Sequence, residues 1–367
     1  MIARNEAAFL DGCLSSLRGQ VNEIVLVDTG STDDTCAIAL SHGCKVLHHG
    51  WQNDFSIARN FAVEQAACTW ILYIDADERL SSGTGQSLLS LLPGDGYAAS
   101  MVKFRPRSDM TCYGELRLFR NDPRIHFTGA MHETIVPAID KVRAADGLDI
   151  AFVEDLLVNH LGYEGDQTHK HTRNIPLLEA ALKSNPERVY LHYHLGATLA
   201  EINQPQRAAR ALETAMKLAN EKGASAQARV EGSMSAQILA SLYLSAEKPE
   251  NAMTAVIEGL SLFADNLALH WLKARSYVAF GECQKAMSAL EPVLRHVGED
   301  FFDIRIAYQK NLFEDACFGV LGSAHFKSGN YADAERCFDK ALTYSPASLE
   351  YKAKKALCES RSNQRTV

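Results

Sequence analysis

Two aspartates and a glutamate stand together where they could do chemistry: Asp75-Ala76-Asp77-Glu78, directly behind the uncharged run Trp70-Ile71-Leu72-Tyr73-Ile74. That run is short, aromatic and β-branched, which predicts a strand buried on both faces, as in a parallel sheet. Side chains alternate along a strand, so Asp75 and Asp77 share one side for as long as the backbone stays extended. The carboxyl ends of parallel strands are where open α/β sheets bind ligands. Two carboxylates held that close repel, and a hard divalent cation, a neighbouring base or a shared proton relieves the repulsion. Asp28 takes the equivalent place after an earlier apolar run, residues 23–27, and reads either as a turn-capping aspartate or as a ligand contact. Arg59-Asn60, shortly after Asp54, reads either as a surface ion pair or as a bidentate contact to an anion.

The elements that must position these groups follow from periodicity. Residues 6–18 carry Ala7, Leu10, Leu14 and Leu17 at helical spacing. The strand over 23–27 runs into Asp28-Thr29-Gly30-Ser31-Thr32-Asp33-Asp34-Thr35, a turn and cap leading to a helix that ends near Ser41. A strand over 45–48, a helix over 56–67 and the strand over 70–74 complete the series. This alternation predicts a doubly wound, largely parallel α/β sheet. Residues 97–104 and 115–120 predict two further, antiparallel strands, with a strand near 156–159 leading to His160-Leu161-Gly162-Tyr163. Between them, Gly129-Ala130-Met131-His132-Glu133 brings a glycine, a histidine and a carboxylate together.

Composition narrows the function classes. The chain of 367 residues is 47% hydrophobic and 22% charged with a formal charge of −8, and its mean hydropathy is −0.15. An acidic balance argues against a general nucleic-acid binder, whose affinity rests on a basic surface. The nine cysteines include no CxxC pair, so reduced thiols are expected rather than a disulfide framework or a zinc site. No stretch approaches the ~20 apolar residues of a membrane span, and the opening residues lack the pattern of a signal peptide. Cytoplasmic residence is the expectation.

The first half resembles the nucleotide-sugar-dependent family 2 glycosyltransferases, which have the GT-A fold. Arg4-Asn5-Glu6 is similar to their opening Asn-Glu block, and Val27-Asp28-Thr29-Gly30-Ser31-Thr32-Asp33 to their first aspartate block. Asp54-Phe55-Ser56-Ile57-Ala58-Arg59-Asn60 resembles the Ala-Arg-Asn block, and Asp75-Ala76-Asp77 the Asp-x-Asp metal motif. Each block alone is weak, and four in family order form a specific signal. The resemblance implies that Ala3, Arg4, Asn5, Glu6, Asp28, Asp54, Arg59, Asn60, Asp75 and Ala76 hold the nucleotide sugar. It implies Mg²⁺ or Mn²⁺ on Asp77, with Asp75 at the metal or its water shell and His160 as a late ligand. It implies an acidic base in an inverting transfer, here Glu133, with Asp109, Glu115, Glu154 and Asp155 as alternatives, and His132 at the acceptor or diphosphate. Family members place a complete strand before the Asn-Glu block, and here Met1-Ile2-Ala3 stands in its place.

Behind this region the character changes to Ala- and Leu-rich helices with a period of thirty-four, that of tetratricopeptide repeats. The clearest unit has Leu321-Gly322, Ala334, Phe338, Ala341 and Pro346, and an earlier one has Leu195-Gly196, Ala208, Leu212 and Ala215. Two degenerate units lie between, with Ala240, Ala252, Val256 and Gly259, then Ala274, Ala286, Leu290 and Val293. The expected organisation is a catalytic domain over 1–165, a connecting segment over 166–188 and an all-α repeat solenoid over 189–358. The expected function is metal-dependent transfer of a sugar from a nucleotide-diphosphate donor, UDP-linked, to a protein, peptide or surface-polysaccharide precursor, the acceptor being held by the repeats. The competing class is a non-catalytic repeat scaffold carrying a degenerate transferase domain.

Overall fold

A computed structural model describes residues 1–131, 133–162 and 168–364; the side chains of 168–171, 173, 363 and 364 lie outside the description. The chain divides into two compact units, 1–167 with 302–307, and 168–301 with 308–367.

Unit 1 contains β1 (Ile2–Ala3), α1 (Ala7–Leu17), β2 (Val25–Asp28), α2 (Thr35–Ser41), β3 (Lys45–His48), α3 (Phe55–Glu64) and β4 (Trp70–Leu72). It continues with β5 (Glu78–Ser82), α4 (Leu88–Leu91), β6 (Tyr97–Arg105), β7 (Tyr113–Arg120), α5 (Val136–Asp146) and β8 (Asp149–His160). Strands β1-β2-β3 form a parallel sheet in that order. The other five are ordered β4-β7-β6-β8-β5, and only β6 and β8 run parallel.

The helical stripe of α1 behaves as its spacing predicts: Leu10, Leu14 and Leu17 are buried, with Cys13. Leu10 and Leu14 pack with Leu26, Ala39 and Ala76, so the first helix sits directly under the Asp75–Asp77 turn.

Two expectations for the strand before the aspartates are corrected. It pairs antiparallel with β7, Trp70 opposite Arg120 and Leu72 opposite Leu118, and its side chains are half-buried. An apolar run reports burial, and it does not report the direction of the neighbouring strand. The extended backbone also stops at Leu72, and the Glu78 N–H donates to the Asp75 carbonyl (3.0 Å). Asp75 and Asp77 therefore lie on a turn, and strand alternation does not set their directions. β1 and β4 both line an apolar cavity of about 340 Å³, with Met1, Ile2, Trp70, Ile71, Leu72 and Leu118 on its walls.

Residues 302–307, distant in sequence, belong to this unit. Phe302 bridges to Cys112 and stacks on Phe152, and the Ile304 carbonyl accepts from the Gly114 N–H (3.0 Å).

Unit 2 is helical: α6 (Thr168–Ser184), α7 (Val189–Glu201), α8 (Pro205–Ala219), α9 (Ala226–Ser245), α10 (Pro249–Leu262), α11 (Leu267–Phe280), α12 (Cys283–Leu294), α13 (Asp315–Lys327), α14 (Tyr331–Tyr344) and α15 (Leu349–Gln364). The four units read from the sequence are the pairs α7/α8, α9/α10, α11/α12 and α13/α14. Their marker residues Ala208, Leu212, Ala252, Val256, Ala286, Leu290, Ala334 and Phe338 are all buried. The small residues permit close approach: a Cβ on Gly196 would lie 2.5 Å from Leu212, and one on Gly322 would lie 2.8 Å from Phe338.

The stretch 166–188, expected as a connection, instead holds α6, whose Ile175 and Leu178 are buried in the repeat core. Its histidines and the internal Pro176 mask that i, i+3 spacing in the sequence.

Candidate functional site

The opening Asn-Glu block and the first aspartate block turn out to be one interlocked loop pair. Asn5 adopts a left-handed backbone, φ 57°, which asparagine tolerates. Its side-chain carbonyl accepts from the Thr32 N–H (2.8 Å). In return the Glu6 N–H donates to the Thr35 hydroxyl (2.8 Å) and the Ala7 N–H to Asp33 (3.1 Å). The free amide groups at the start of α1 are thus satisfied from across the loop. Arg4 is exposed and Ala3 is buried.

Asp28 ends β2 almost fully buried. It accepts from the Gly30 and Ser31 N–H groups (3.3 and 3.0 Å) and faces His48 Nδ1 (3.2 Å). Burial pushes its pKa up, but these hydrogen bonds outweigh that and hold it below the usual range. The turn-capping reading of Asp28 is the one these contacts describe.

Asp54 caps α3: its Oδ1 accepts from the Ser56 N–H (2.8 Å) and hydroxyl (2.6 Å). Asn60 ties α3 to the segment before α5, donating to the Phe127 carbonyl (2.9 Å) and accepting from its N–H (2.7 Å). These amide and carboxylate groups are spent on the scaffold that aims Arg59.

Arg59 is the pivot of the site. One amino group lies 3.0 and 3.2 Å from the two Asp75 oxygens, and its Nε donates to Glu133 Oε1. The guanidinium also lies over Tyr73, 5.3 Å from the ring centre. Burial pushes the Asp75 carboxyl up, but Arg59 and Arg117 together keep it below its ordinary value.

The two aspartates of the motif therefore part company. Asp75 turns to Arg59, whereas Asp77 Oδ2 faces His160 Nε2 at 3.3 Å. His160 Nδ1 is directed at the Pro106 carbonyl (3.2 Å). A proton on Nδ1 leaves the Nε2 lone pair pointing at a carboxylate oxygen, an arrangement that calls for a cation between them, either a proton or a metal. Burial pulls the His160 pKa down, but the hydrogen bond and charge of Asp77 more than offset it and the net shift is upward. One carboxylate oxygen and one oriented imidazole nitrogen are two donors that fit a divalent cation whose remaining positions are filled by water or other oxygens.

Asp75, Asp77 and His160 do not converge as a set of three. Among the described residues, the group whose ligand atoms all lie within 4.8 Å of one another is Asp28, Cys36 and His48. His132 lies outside the described residues. Of the alternative bases, Asp109 pairs with Arg107, Glu115 with Arg117 and Tyr113, the exposed Glu154 with Lys103, and Asp155 accepts from the hydroxyls of Ser82 and Thr84.

Sequence reasoning missed the support beneath this turn. Glu78 and Arg117 form a bidentate pair (2.7 and 3.1 Å), with side chains only 2% and 5% exposed. Glu78 also accepts from the Asp75 N–H (2.9 Å). The Arg117 guanidinium is sandwiched 4.6 Å from the ring centres of Tyr73 and Phe104. Arg117 between Leu116 and Leu118 was the available signal, because strand interiors rarely accept an unpaired charge.

A three-stranded parallel sheet ends in the interlocked 4–6 and 30–35 loops, and the turn between β4 and β5 carries the carboxylate that faces His160. Residues 1–139 match the family "Glycosyl transferase family 2" and residues 315–348 match the tetratricopeptide repeat, so the chain carries a family 2 glycosyltransferase domain followed by tetratricopeptide repeats.

A tetratricopeptide-repeat-containing protein of Synechococcus elongatus is 35% identical over 59% of this chain and 55% of its own length. The prophage-derived glycosyltransferase SunS of Bacillus subtilis is 29% identical over 57% and 50%. The lipopolysaccharide core biosynthesis glycosyltransferase LpsC of Rhizobium meliloti is 34% identical over 37% and 56%. The chain thus spans about half the length of the curated relatives it matches. The crystal structure of MamA protein aligns with 52% of this chain and 87% of its own at 22% identity and a TM-score of 0.36.

Proposed function

We propose that unit 1 transfers a sugar, with inversion, from a UDP-linked donor to a protein, peptide or surface-polysaccharide-precursor acceptor held by the repeats. The observation that carries this reading is the Arg59 pivot, which places Asp75 and Glu133 on one guanidinium beside the Asp77–His160 pair.

In this reading Asp28 and the interlocked 4–6 and 30–35 loops border the nucleoside. Asp77 and His160 would hold Mg²⁺ or Mn²⁺, and Asp75, paired with Arg59, would stand nearer the metal's water shell than the metal itself. When bound, a divalent cation supplies Lewis-acid stabilisation of charge on the leaving diphosphate. Arg59 is the anion contact at that diphosphate, and its planar fork suits phosphate oxygens. Glu133 takes the acceptor's proton: Arg59 engages its Oε1, which leaves Oε2 as the accepting oxygen. The lipopolysaccharide-related name of LpsC favours a glycan-precursor acceptor, and the repeats favour a polypeptide. The matches of the first 139 residues to glycosyltransferases favour an enzyme over a pure scaffold.

The test is UDP-sugar turnover by the full chain with Mn²⁺, with and without EDTA. Turnover is expected to fall on chelation and in Asp77→Ala. Equal rates for wild type and Asp77→Ala would remove Asp77 from the metal.

A further inference from the structure

We propose that Gly162 is a positioning residue: its missing side chain is the space that lets the Asp77 carboxylate stand opposite His160. The proposal rests on reading Asp77 and His160 as a cation site. The chain leaves β8 at His160, and Leu161 returns to the motif, its N–H donating to the Asp77 carbonyl (2.9 Å). That bond, together with the β5–β8 pairing of Glu78 with His160, holds the two backbones in register.

The next residue, Gly162, is buried. A Cβ built on it would lie 1.8 Å from Asp77 Oδ2, 2.6 Å from its Cγ and 3.1 Å from its Cβ. At 1.8 Å the two atoms overlap outright, so the carboxylate occupies the volume that any other residue would fill. Backbone conformation does not explain the glycine, because Gly162 is not among the glycines with positive φ. What remains is room. The tie of Leu161 to the Asp77 carbonyl leaves rotation of Asp77 about its own Cα–Cβ bond as the most direct relief for a side chain placed here. Rotation carries Oδ2, the oxygen at 3.3 Å from Nε2, off His160. Gly162 touches no ligand itself and acts through Asp77.

The experiment is a double-mutant cycle on the full chain: wild type, Gly162→Ala, Asp77→Ala and the double variant. Two readouts are taken at one fixed pH. The first is Mn²⁺ affinity by electron paramagnetic resonance without donor. The second is the NMR resonance of the His160 imidazole without metal. Gly162→Ala is expected to weaken Mn²⁺ binding about 10- to 100-fold, the range for residues that orient metal ligands. It should also move the His160 resonance in the direction Asp77→Ala moves it. In the Asp77→Ala background the added substitution should change neither readout.

Wild-type values of both readouts in Gly162→Ala, or a further loss of Mn²⁺ affinity in the double variant, would overturn the proposal. If the wild type binds no Mn²⁺, the cation reading fails by itself, and the His160 resonance still decides the role of Gly162. If Gly162→Ala does not fold, recovery of folding in the double variant supports the proposal and failure of both overturns it.

Discussion

Replacing Arg117 by methionine should cost unit 1 about 3–5 kcal/mol, the range for removing one partner of a buried ion pair. The magnitude follows from what is left behind. Glu78 is 2% exposed and loses both guanidinium contacts (2.7 and 3.1 Å), retaining the Asp75 N–H as its donor. Methionine keeps apolar contact with Tyr73 and Phe104 but gives up the cation–π sandwich at 4.6 Å.

The pH dependence has a definite sign. Burial pushes the Glu78 carboxyl from its ordinary 4.5 up to about 7, against the pull of Arg117. A carboxyl raised by folding stabilises the fold only below its unfolded pKa, and that advantage is lost as pH rises towards the folded value. In the wild type this decline ends near pH 7, where Glu78 ionises against Arg117. In Arg117→Met the attraction is gone, the folded pKa lies higher, and the decline runs on past pH 7. The difference between the two proteins is therefore larger at pH 8 than at pH 6.

Hydrogen exchange along a urea series, read on peptides of β6 and β7, measures this locally and needs no two-state assumption for the whole chain. Adding Glu78→Gln should recover most of the loss, because glutamine removes the stranded charge and still accepts from Asp75. A loss below about 1 kcal/mol at pH 8, or no growth between pH 6 and pH 8, would refute the reasoning.

Two further substitutions test the site. Glu133→Gln should preserve donor affinity, measured by calorimetry, while sugar transfer falls more than tenfold, about 1.4 kcal/mol in the barrier; transfer within tenfold of wild type excludes it as the base. Asp54→Ala should destabilise α3 by about 1 kcal/mol through loss of its N-cap, seen as faster exchange in its first turn. Loss of nucleotide binding with α3 unchanged would mean that Asp54 contacts the ligand directly.

The order of strands and helices through residue 72, the leucine stripe of α1 and the repeat markers from Leu195 to Ala341 are local patterns. Periodicity and the spacing of small and large residues carry them, so they could be read directly from the chain. Which residue types stand at these positions, the carboxylates of 75–78, Arg59 and His160, is likewise given by the chain.

What each group faces was decided by tertiary structure. Asp75 and Asp77 are two residues apart and share a motif, yet one pairs with Arg59 from α3 and the other with His160 from the end of β8. The turn that separates them is held by Arg117 of β7, 39 residues further on than Glu78. Gly162 has room for no side chain because of a carboxylate 85 residues earlier. Sequence spacing specifies which residues share an element, whereas contact between elements far apart in the chain depends on strand order and direction, which an apolar run does not report.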